Sequence, residues 1–240
     1  MKTMIVIPTY EEKENIQKLI EELFNINPYF YVTVVDDNSP DGTADIVKEL
    51  QKKYPYLNLI LRKEKKGLGT AYIEGFKFAL RQNMDVIVQM DADLSHPPQY
   101  LPQMLLLLDE YDVVVGSRYI KGVRVNNWPF KRLLISKFAN LYVKMITGMP
   151  FEDCTSGFKC IKRKVLETID IETIESKGYV FQIELLFRMY TKGFKIVEYP
   201  IMFNEREGGK SKISRKIARE AFWKVLKLGI ERFYDRKIKL

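Results

Sequence analysis

The chain has 240 residues, 46% of them hydrophobic, which is enough for one large domain or two small ones with a well-filled core. No apolar run approaches the roughly 18 to 20 residues that cross a bilayer, and the N-terminus lacks the pattern of a secretory signal, so we expect a cytoplasmic protein that does not span a membrane. Two cysteines and a single histidine exclude a disulfide framework, a zinc site and a multi-histidine metal centre.

The net charge of +8 comes from the C-terminal end of the chain. Residues 210–240 contain 11 Lys or Arg against 3 Asp or Glu, so residues 1–209 are neutral overall. Such an excess suits an anionic surface, either nucleic acid or lipid headgroups, although a solvated helix face has the same composition. We predict one domain over residues 1–209 and a basic amphipathic helix over 210–240. The apolar stripe of this helix contains Ile213, Ile217, Ala221, Val225 and Leu228.

Strands and helices alternate along the first half of the chain. Apolar segments predict strands at residues 4–8, 31–35, 57–61 and from 86 onward, with helix patterns at 16–24, from about 43 and at 70–81. The first strand-to-helix turn has no glycine, which counts against a dinucleotide-binding dehydrogenase, and no P-loop string occurs. The alternation predicts an α/β fold whose mostly parallel sheet is covered by helices on both faces.

Two carboxylates stand where the strand that starts at residue 86 ends. The apolar run breaks into Asp91, Ala92 and Asp93, and Pro97 and Pro98 follow as the start of a helix. Because side chains alternate along an extended segment, both carboxylates point to the same side, and a shared proton, a divalent cation or water must relieve their repulsion. Ligands bind at such strand ends in α/β sheets, which favours a metal site over a solvated acidic turn.

The second strand also ends in carboxylates, Asp36 and Asp37. An Asp in this position can accept hydrogen bonds from a base or from ribose hydroxyls. The alternative, a helix cap, fits Ser39 or Asp41 better than Asp37. The lysines and glycines at residues 65–69 are interpreted as mainly structural.

A different kind of helix is predicted over residues 131–147. It contains no acidic residue, and Arg132, Ser136 and Asn140 recur at every fourth position as one polar stripe. The stripe either holds an anion while the apolar remainder meets lipid, or faces water on an ordinary core helix. The residue pattern leaves both alternatives open.

The remaining segments complete the alternation. We predict a strand at residues 112–115, a polar loop at 153–159, a helix at 180–190 and a strand near 195–200. The loop at 204–212 combines glycines with the cations Arg206 and Lys212, a composition typical of a lid that clamps a diphosphate and equally of a plain surface loop.

Six short motifs follow one another along the chain. They are Pro-Thr-Tyr-Glu-Glu at 8–12, Val-Val-Asp-Asp-Asn-Ser-Pro-Asp-Gly-Thr at 34–43, the acidic and proline-containing segment 91–98, Gly-Ser-Arg-Tyr at 116–119, Thr-Ser-Gly-Phe at 155–158 and Gly-Tyr-Val-Phe-Gln at 178–182. In this order and spacing they resemble the dolichyl-phosphate (polyprenyl-phosphate) mannose synthases, which are inverting GT-A glycosyltransferases of family two. The resemblance runs from about residue 4 to residue 212.

This resemblance implies transfer of mannose from GDP-mannose to dolichyl or another polyprenyl phosphate, with inversion at the sugar carbon and with Mg²⁺ or Mn²⁺ as cofactor. The donor site that it implies consists of Pro8, Tyr10, Glu12, Val35, Asp37, Asp91, Ala92, Asp93, Arg206 and Lys212. Asp91 and Asp93 are the implied metal ligands. The implied acceptor-phosphate site consists of Arg118, Arg132 and Ser136, the last two from the polar stripe. The residues expected to act in catalysis are Asp91, Asp93, Arg118 and Arg206.

Two departures from the family pattern bear on the metal site and on membrane attachment. Ser95 stands where some relatives carry Gln as a further metal contact, and a single amphipathic stretch follows the matched region where others have transmembrane helices. We expect peripheral attachment to the cytoplasmic face of a membrane, with the basic stretch on the membrane surface or against a membrane partner subunit.

Because the acceptor phosphate is already anionic at neutral pH, no dedicated general base is expected.

Other functions fit parts of the sequence. A polyprenyl-phosphate glucosyltransferase would use UDP-glucose, and a saccharide acceptor would need a carboxylate base that no matched motif supplies. A nucleic-acid-binding protein would explain the basic tail but not the paired strand-end carboxylates. Since the chain also lacks an aromatic RNA-binding signature and zinc-finger spacing, we expect no nucleic acid partner.

Overall fold

The computed structural model describes residues 1–126, 128–176, 178, 180–204 and 215–238, and within the last range the side chains of residues 219 and 221–233. Its strands form a seven-stranded sheet and a separate pair. The strands are β1 (Thr3–Thr9), β2 (Tyr31–Asp36), β3 (Leu57–Leu61), β4 (Val86–Gln89), β5 (Val113–Ser117), β6 (Val125–Asn126), β7 (Lys159–Lys162), β8 (Ile196–Pro200) and β9 (Phe203–Asn204).

Helices connect these strands. They are α1 (Ile16–Ile26), α2 (Thr43–Gln51), α3 (Leu68–Arg81), α4 (Leu101–Leu106), α5 (Phe130–Thr147), α6 (Arg163–Thr168), α7 (Val180–Thr191) and α8 (Arg215–Ile238), with short 3₁₀ turns at Pro98–Tyr100, Leu107–Asp109 and Ile171–Thr173. In the described parts of the chain, none of these helices combines the length and the apolarity needed to cross a bilayer.

The main sheet has the order β3-β2-β1-β4-β7-β5-β8. Its pairs are parallel except those that β7 makes with β4 and β5, so the predicted mostly parallel α/β fold is confirmed. The expectation that residues 153–159 form a loop is wrong at its last residue, because Lys159 begins β7 and is fully buried. With a lysine at each end and two apolar residues between them, this short strand carries no recognisable hydrophobic pattern.

The sheet separates two hydrophobic layers. Successive residues of β1 point to opposite faces, so Val6 packs in the layer with Phe76 of α3 and Phe181 of α7, whereas Ile7 packs in the layer with Leu19 of α1. Both faces are therefore covered, and the carboxyl ends of the parallel strands are left as the place where polar side chains reach solvent.

The C-terminal helix α8 packs against α5 and α7. Val225 and Leu228 are buried in the same layer as Val143 of α5, and the Phe222 ring stacks on Tyr142 at 5.0 Å. The apolar stripe is therefore covered by the domain itself at these two residues, which an amphipathic pattern cannot specify, and attachment of this stretch to a membrane or a partner stays a prediction for its other faces. Ile213 lies outside the described residues, as does the side chain of Ile217.

Candidate active site

Asp91 and Asp93 follow directly on β4 at the carboxyl end of the sheet. The Asp91 side chain is 25% exposed and Asp93 is 5% exposed, so the pair opens to solvent mainly through Asp91. Leu94 has a left-handed backbone with φ of 58°, and after this turn the amide and the hydroxyl of Ser95 both donate to Asp93 Oδ1. Ser95 therefore orients Asp93 from within the same turn.

Asp91 is held by its side chain and by its backbone. The hydroxyl of Tyr72 donates to Asp91 Oδ1 at 2.7 Å, and the amide of Asp91 donates to Nδ1 of His96 at 3.1 Å. Burial lowers the pKa of His96 although Asp91 and Asp93 act in the opposite direction, so the imidazole is neutral and its nitrogen can accept this hydrogen bond. His96 thus fixes the end of the strand.

The residues at this strand end fit a hard divalent cation whose remaining ligands a substrate would supply. Asp91 and Asp93 supply carboxylate oxygens, and no group of three or more His, Cys, Asp or Glu suited to a metal ion occurs in the described parts of the chain. Mg²⁺ is commonly held by one or two carboxylates together with substrate phosphates. Gly157 keeps space there, because a Cβ at this position would come within 3.1 Å of Asp91 Oδ2 and of His96 Cε1.

The implied donor residues surround the ends of β1 and β2. Pro8 and Val35 are register partners in these strands, and Ala92 is buried between the two aspartates. The ammonium of Lys65 lies 3.4 Å from the centroid of the Tyr10 ring. The structure therefore brings the implied nucleoside residues to the same edge of the sheet as the acidic pair.

Asp37 is already engaged in this structure. It is 5% exposed, its Oδ1 accepts from Arg62 Nη1 at 2.6 Å, and its Oδ2 accepts from the amides of Lys66 and Gly67 at 3.3 and 3.4 Å. The segment 65–69 is thus bound to Asp37 through its backbone, which agrees with the structural interpretation of its glycines. A nucleoside would have to use the remaining acceptor capacity of this carboxylate.

Arg118 lies on the other side of the acidic pair, just after β5. Its Nε and Nη2 donate to the two oxygens of the fully buried Asp153, each at 2.6 Å, and Nη2 also donates to the Thr155 hydroxyl at 2.7 Å. Burial would lower the pKa of Arg118 and raise that of Asp153, but the attraction between them outweighs burial in both groups. Arg118 is 8% exposed, and its orientation is fixed by this bidentate pair.

The polar stripe of α5 faces the domain. Ser136 accepts a hydrogen bond from the Tyr119 hydroxyl at 2.7 Å, and Asn140 accepts from the Cys154 amide at 2.8 Å. The guanidinium carbon of Arg132 lies 4.1 Å from the Trp128 ring centroid, and that of Arg118 lies 5.5 Å from the same centroid. The structure therefore brings the three implied acceptor residues together and excludes the alternative of a stripe that merely faces water.

Other site residues follow from the folded structure only. Tyr72, His96 and Asp153 each bind a predicted site residue directly, yet none was assigned a role from the sequence. His96 lies inside one matched motif and Asp153 lies beside another, whereas Tyr72 lies in none of them, so no sequence signal pointed to Tyr72. Arg206 and Lys212 lie outside the described residues, so their place at the donor stays a prediction.

Sequence comparisons identify relatives along nearly the whole chain. The family model described as glycosyl transferase family 2 matches residues 4–170. The polyprenol monophosphomannose synthase of Mycolicibacterium smegmatis is 44% identical over 98% of this chain and 89% of its own. The undecaprenyl-phosphate mannosyltransferase of Micrococcus luteus is 41% identical over 96% and 95%, and the dolichol-phosphate mannosyltransferase of Pyrococcus furiosus is 39% identical over 90% and 60%.

Solved structures share the fold. A glucosyl-3-phosphoglycerate synthase from Mycobacterium tuberculosis, in complex with Mn²⁺, uridine diphosphate and phosphoglyceric acid, superposes with a TM-score of 0.70 at 16% identity and covers 95% of this chain and 78% of its own. A mannosyltransferase from Pyrobaculum calidifontis, in complex with GDP-mannose and Mn²⁺, gives a TM-score of 0.61 at 18% identity over 98% and 64%. These similarities confirm the predicted GT-A fold.

Proposed function

The chain belongs to glycosyl transferase family 2, and from this premise we propose that it transfers mannose from GDP-mannose to a polyprenyl phosphate, with inversion at the sugar carbon and release of GDP. The observation that carries the proposal is that three relatives, each matched over at least nine tenths of this chain, are all named for mannose transfer or synthesis on a polyprenol-type phosphate. The two faces of α5 support it, because an anion-binding stripe and an apolar surface on one helix suit a lipid phosphate.

The donor is proposed to lie across the carboxyl ends of β1, β2 and β4. Tyr10 and Asp37 lie where the nucleoside would bind, and Asp91 and Asp93 point to where its diphosphate would lie, with Arg206 and Lys212 proposed as further phosphate contacts. A bound Mg²⁺ or Mn²⁺ ion would neutralise the charge that develops on GDP as its bond to the sugar breaks.

The acceptor phosphate needs orientation rather than deprotonation. It is anionic at neutral pH, so its oxygen can attack the sugar carbon without a general base while the bond from that carbon to the GDP oxygen breaks. Two anions must approach each other for this step. Arg118 and Arg132, whose guanidinium carbons lie 5.5 and 4.1 Å from the Trp128 ring centroid, are proposed to bind the acceptor phosphate and to offset the repulsion.

Peripheral attachment to the cytoplasmic face of a membrane is proposed through the outer faces of α5 and α8. Large apolar side chains recur at every third or fourth position of α5 on the face opposite its polar stripe, and all are exposed: Phe130, Leu134, Phe138, Leu141 and Met145. On α8, Trp223, Ile230 and Phe233 are exposed as well. A contiguous apolar surface beside a lipid-phosphate site fits a membrane better than water.

We expect the double substitution Phe138→Ser and Trp223→Ser to weaken binding to anionic liposomes about thirtyfold, if each side chain contributes about 1 kcal/mol by partial burial in the interface. These side chains are 65% and 63% exposed, so their loss leaves the core intact. Co-sedimentation in moderate salt measures the change. Leu106→Ser is the matched control, since Leu106 is 70% exposed on α4. Unchanged sedimentation of the double variant would contradict the proposed membrane-binding surface on α5 and α8 and would favour attachment through a membrane partner subunit.

The donor and the acceptor are tested together by product extraction. Radiolabelled GDP-mannose and UDP-glucose are offered separately with Mn²⁺ and a polyprenyl phosphate, and the label is counted in the organic phase. We expect lipid-linked label from GDP-mannose, and none when the free polyprenol replaces its phosphate, because an alcohol would need a general base and none is proposed for this site. Lipid-linked label from UDP-glucose alone would instead assign the glucosyltransferase function.

A further inference from the structure

A chain of buried polar groups runs beneath the acidic pair. Its members are fully or almost fully buried and come from four different elements: Tyr72 of α3, Gln89 of β4, Lys159 of β7 and Gln182 of α7. The Tyr72 ring is stacked 5.8 Å from that of Phe181 in the core. Buried polar groups in a core are destabilising unless they are paired, so such a network calls for a function.

Hydrogen bonds connect three of these groups to one another and the fourth, Tyr72, to Asp91. Lys159 Nζ donates to Gln182 Oε1 at 2.9 Å and to the carbonyl of Ser156, and Gln89 Nε2 donates to the same Gln182 oxygen. The hydroxyl of Tyr72 donates to Asp91 Oδ1 at 2.7 Å. Lys159, Gln182 and Gln89 thus form one hydrogen-bonded cluster, which adjoins the pair of Tyr72 and Asp91 through the side chain of Gln89.

Tyr72 is a fixed donor to Asp91. Its pKa lies well above the usual value, chiefly because of burial and of the charge on Asp91, while a hydrogen bond from Gln89 acts in the opposite direction. The contact itself makes Tyr72 the donor, because its hydroxyl lies 2.7 Å from Asp91 Oδ1. Burial lowers the pKa of Lys159 to about 7.

The geometry around Asp91 explains what the contact achieves. One carboxylate oxygen, Oδ1, is bound by Tyr72, while the space beside Oδ2 is kept free by Gly157, where a Cβ would approach Oδ2 to 3.1 Å. The backbone of Asp91 is fixed separately by His96. With the backbone and one oxygen held, rotation of the carboxylate is prevented and the other oxygen stays available to a ligand.

We propose that Tyr72 is a positioning residue that holds the Asp91 carboxylate in the orientation required for the divalent cation, and that Gln89, Gln182 and Lys159 hold Tyr72 in turn. The inference rests on the proposed function, because it takes Asp91 as a ligand of the cation. Partners of metal-ligating carboxylates commonly change metal affinity by tenfold to a hundredfold when they are removed. Tyr72 acts on the cation only through Asp91.

The test is the affinity for Mn²⁺ in the presence of GDP, followed by the electron paramagnetic resonance signal of free Mn²⁺. Tyr72→Phe removes one oxygen and keeps the ring, and we expect the dissociation constant of Mn²⁺ to rise by about tenfold to a hundredfold. Turnover at saturating Mn²⁺ should be largely restored, and the KM for the acceptor unchanged, which a general loss of structure would not produce. Tyr142→Phe is the control, since its hydroxyl binds the Phe222 carbonyl on α8 instead.

The Asp91→Asn variant tests the proposed metal site, whereas Tyr72→Phe tests the positioning role of Tyr72. If Asp91→Asn abolishes Mn²⁺ binding and Tyr72→Phe weakens it, the positioning role is supported. If Asp91→Asn abolishes binding and Tyr72→Phe leaves it unchanged, the positioning role is overturned and the metal site stands. If Asp91→Asn binds Mn²⁺ like the wild type, the proposed metal site itself is overturned. Should Tyr72→Phe fail to fold, Gln89→Leu serves in its place, with a weaker loss of affinity expected and an unchanged affinity contradicting the network.

Discussion

Replacement of Asp91 by Asn is expected to lower mannosyl turnover by about a thousandfold. The amide has the shape of the carboxylate, but it lacks the negative charge that a divalent cation requires from this ligand. Asp93→Asn is expected to act in the same direction, because the two carboxylates are together the proposed oxygen ligands of the cation. Steady-state transfer to a polyprenyl phosphate at saturating GDP-mannose measures the loss.

Asp109→Asn is the matched control for this prediction, since Asp109 is exposed in the turn that precedes β5. The thermal unfolding temperatures of the Asp91→Asn and Asp109→Asn variants should stay close to that of the wild type, because Asp91 is partly exposed, Asp109 is exposed and the new side chain has the same size. If Asp91→Asn turned over like the Asp109→Asn control, the assignment of the acidic pair would be wrong.

Replacement of Arg118 by Ala is expected to lower kcat/KM for the polyprenyl phosphate by about a hundredfold to a thousandfold and to leave the affinity for GDP unchanged. The guanidinium is held by Asp153 and Thr155 on the side of the site that α5 closes, away from the nucleoside residues at β1 and β2. Acceptor kinetics and calorimetric titration with GDP separate the two effects.

This variant also carries a stability effect, because it leaves Asp153 as an unpaired buried charge, which typically destabilises a protein by about 3 to 5 kcal/mol. The double variant Arg118→Met and Asp153→Asn removes both charges together and should unfold at a higher temperature than Arg118→Ala while losing acceptor use to the same degree. Equal loss of donor and acceptor binding in the folded double variant would contradict the acceptor role of Arg118.

The parts of the site that are local in sequence could be predicted from it. The strand that ends in Asp91 and Asp93 is a continuous apolar run broken by charge, and the stripe of Arg132, Ser136 and Asn140 follows the period of a helix. Both signals come from residues close together in the chain. For the helix stripe, the structure adds its direction, since the stripe points to Tyr119 and Cys154.

The parts of the site that depend on residues distant in the sequence could not be predicted from it. Lys159 stands in a strand too short to show a pattern, and Gln182 binds Gln89 across 93 positions of the chain. The apolar stripe of α8 is visible in the sequence, but whether lipid or protein covers it is decided by α5 and α7. Tertiary pairing of this kind leaves no periodic trace, so the support beneath Asp91 emerged only with the folded chain.

We propose above that the acidic pair at the end of β4 holds a divalent cation against the diphosphate of the donor. Crystals of the full chain grown with Mn²⁺ and GDP test it most directly, through the anomalous scattering of manganese. We expect one strong manganese peak about 2 to 2.5 Å from carboxylate oxygens of both Asp91 and Asp93 and from oxygens of the GDP phosphates. GDP bound at this edge of the sheet with the manganese peak elsewhere, or with no peak at all, would contradict it.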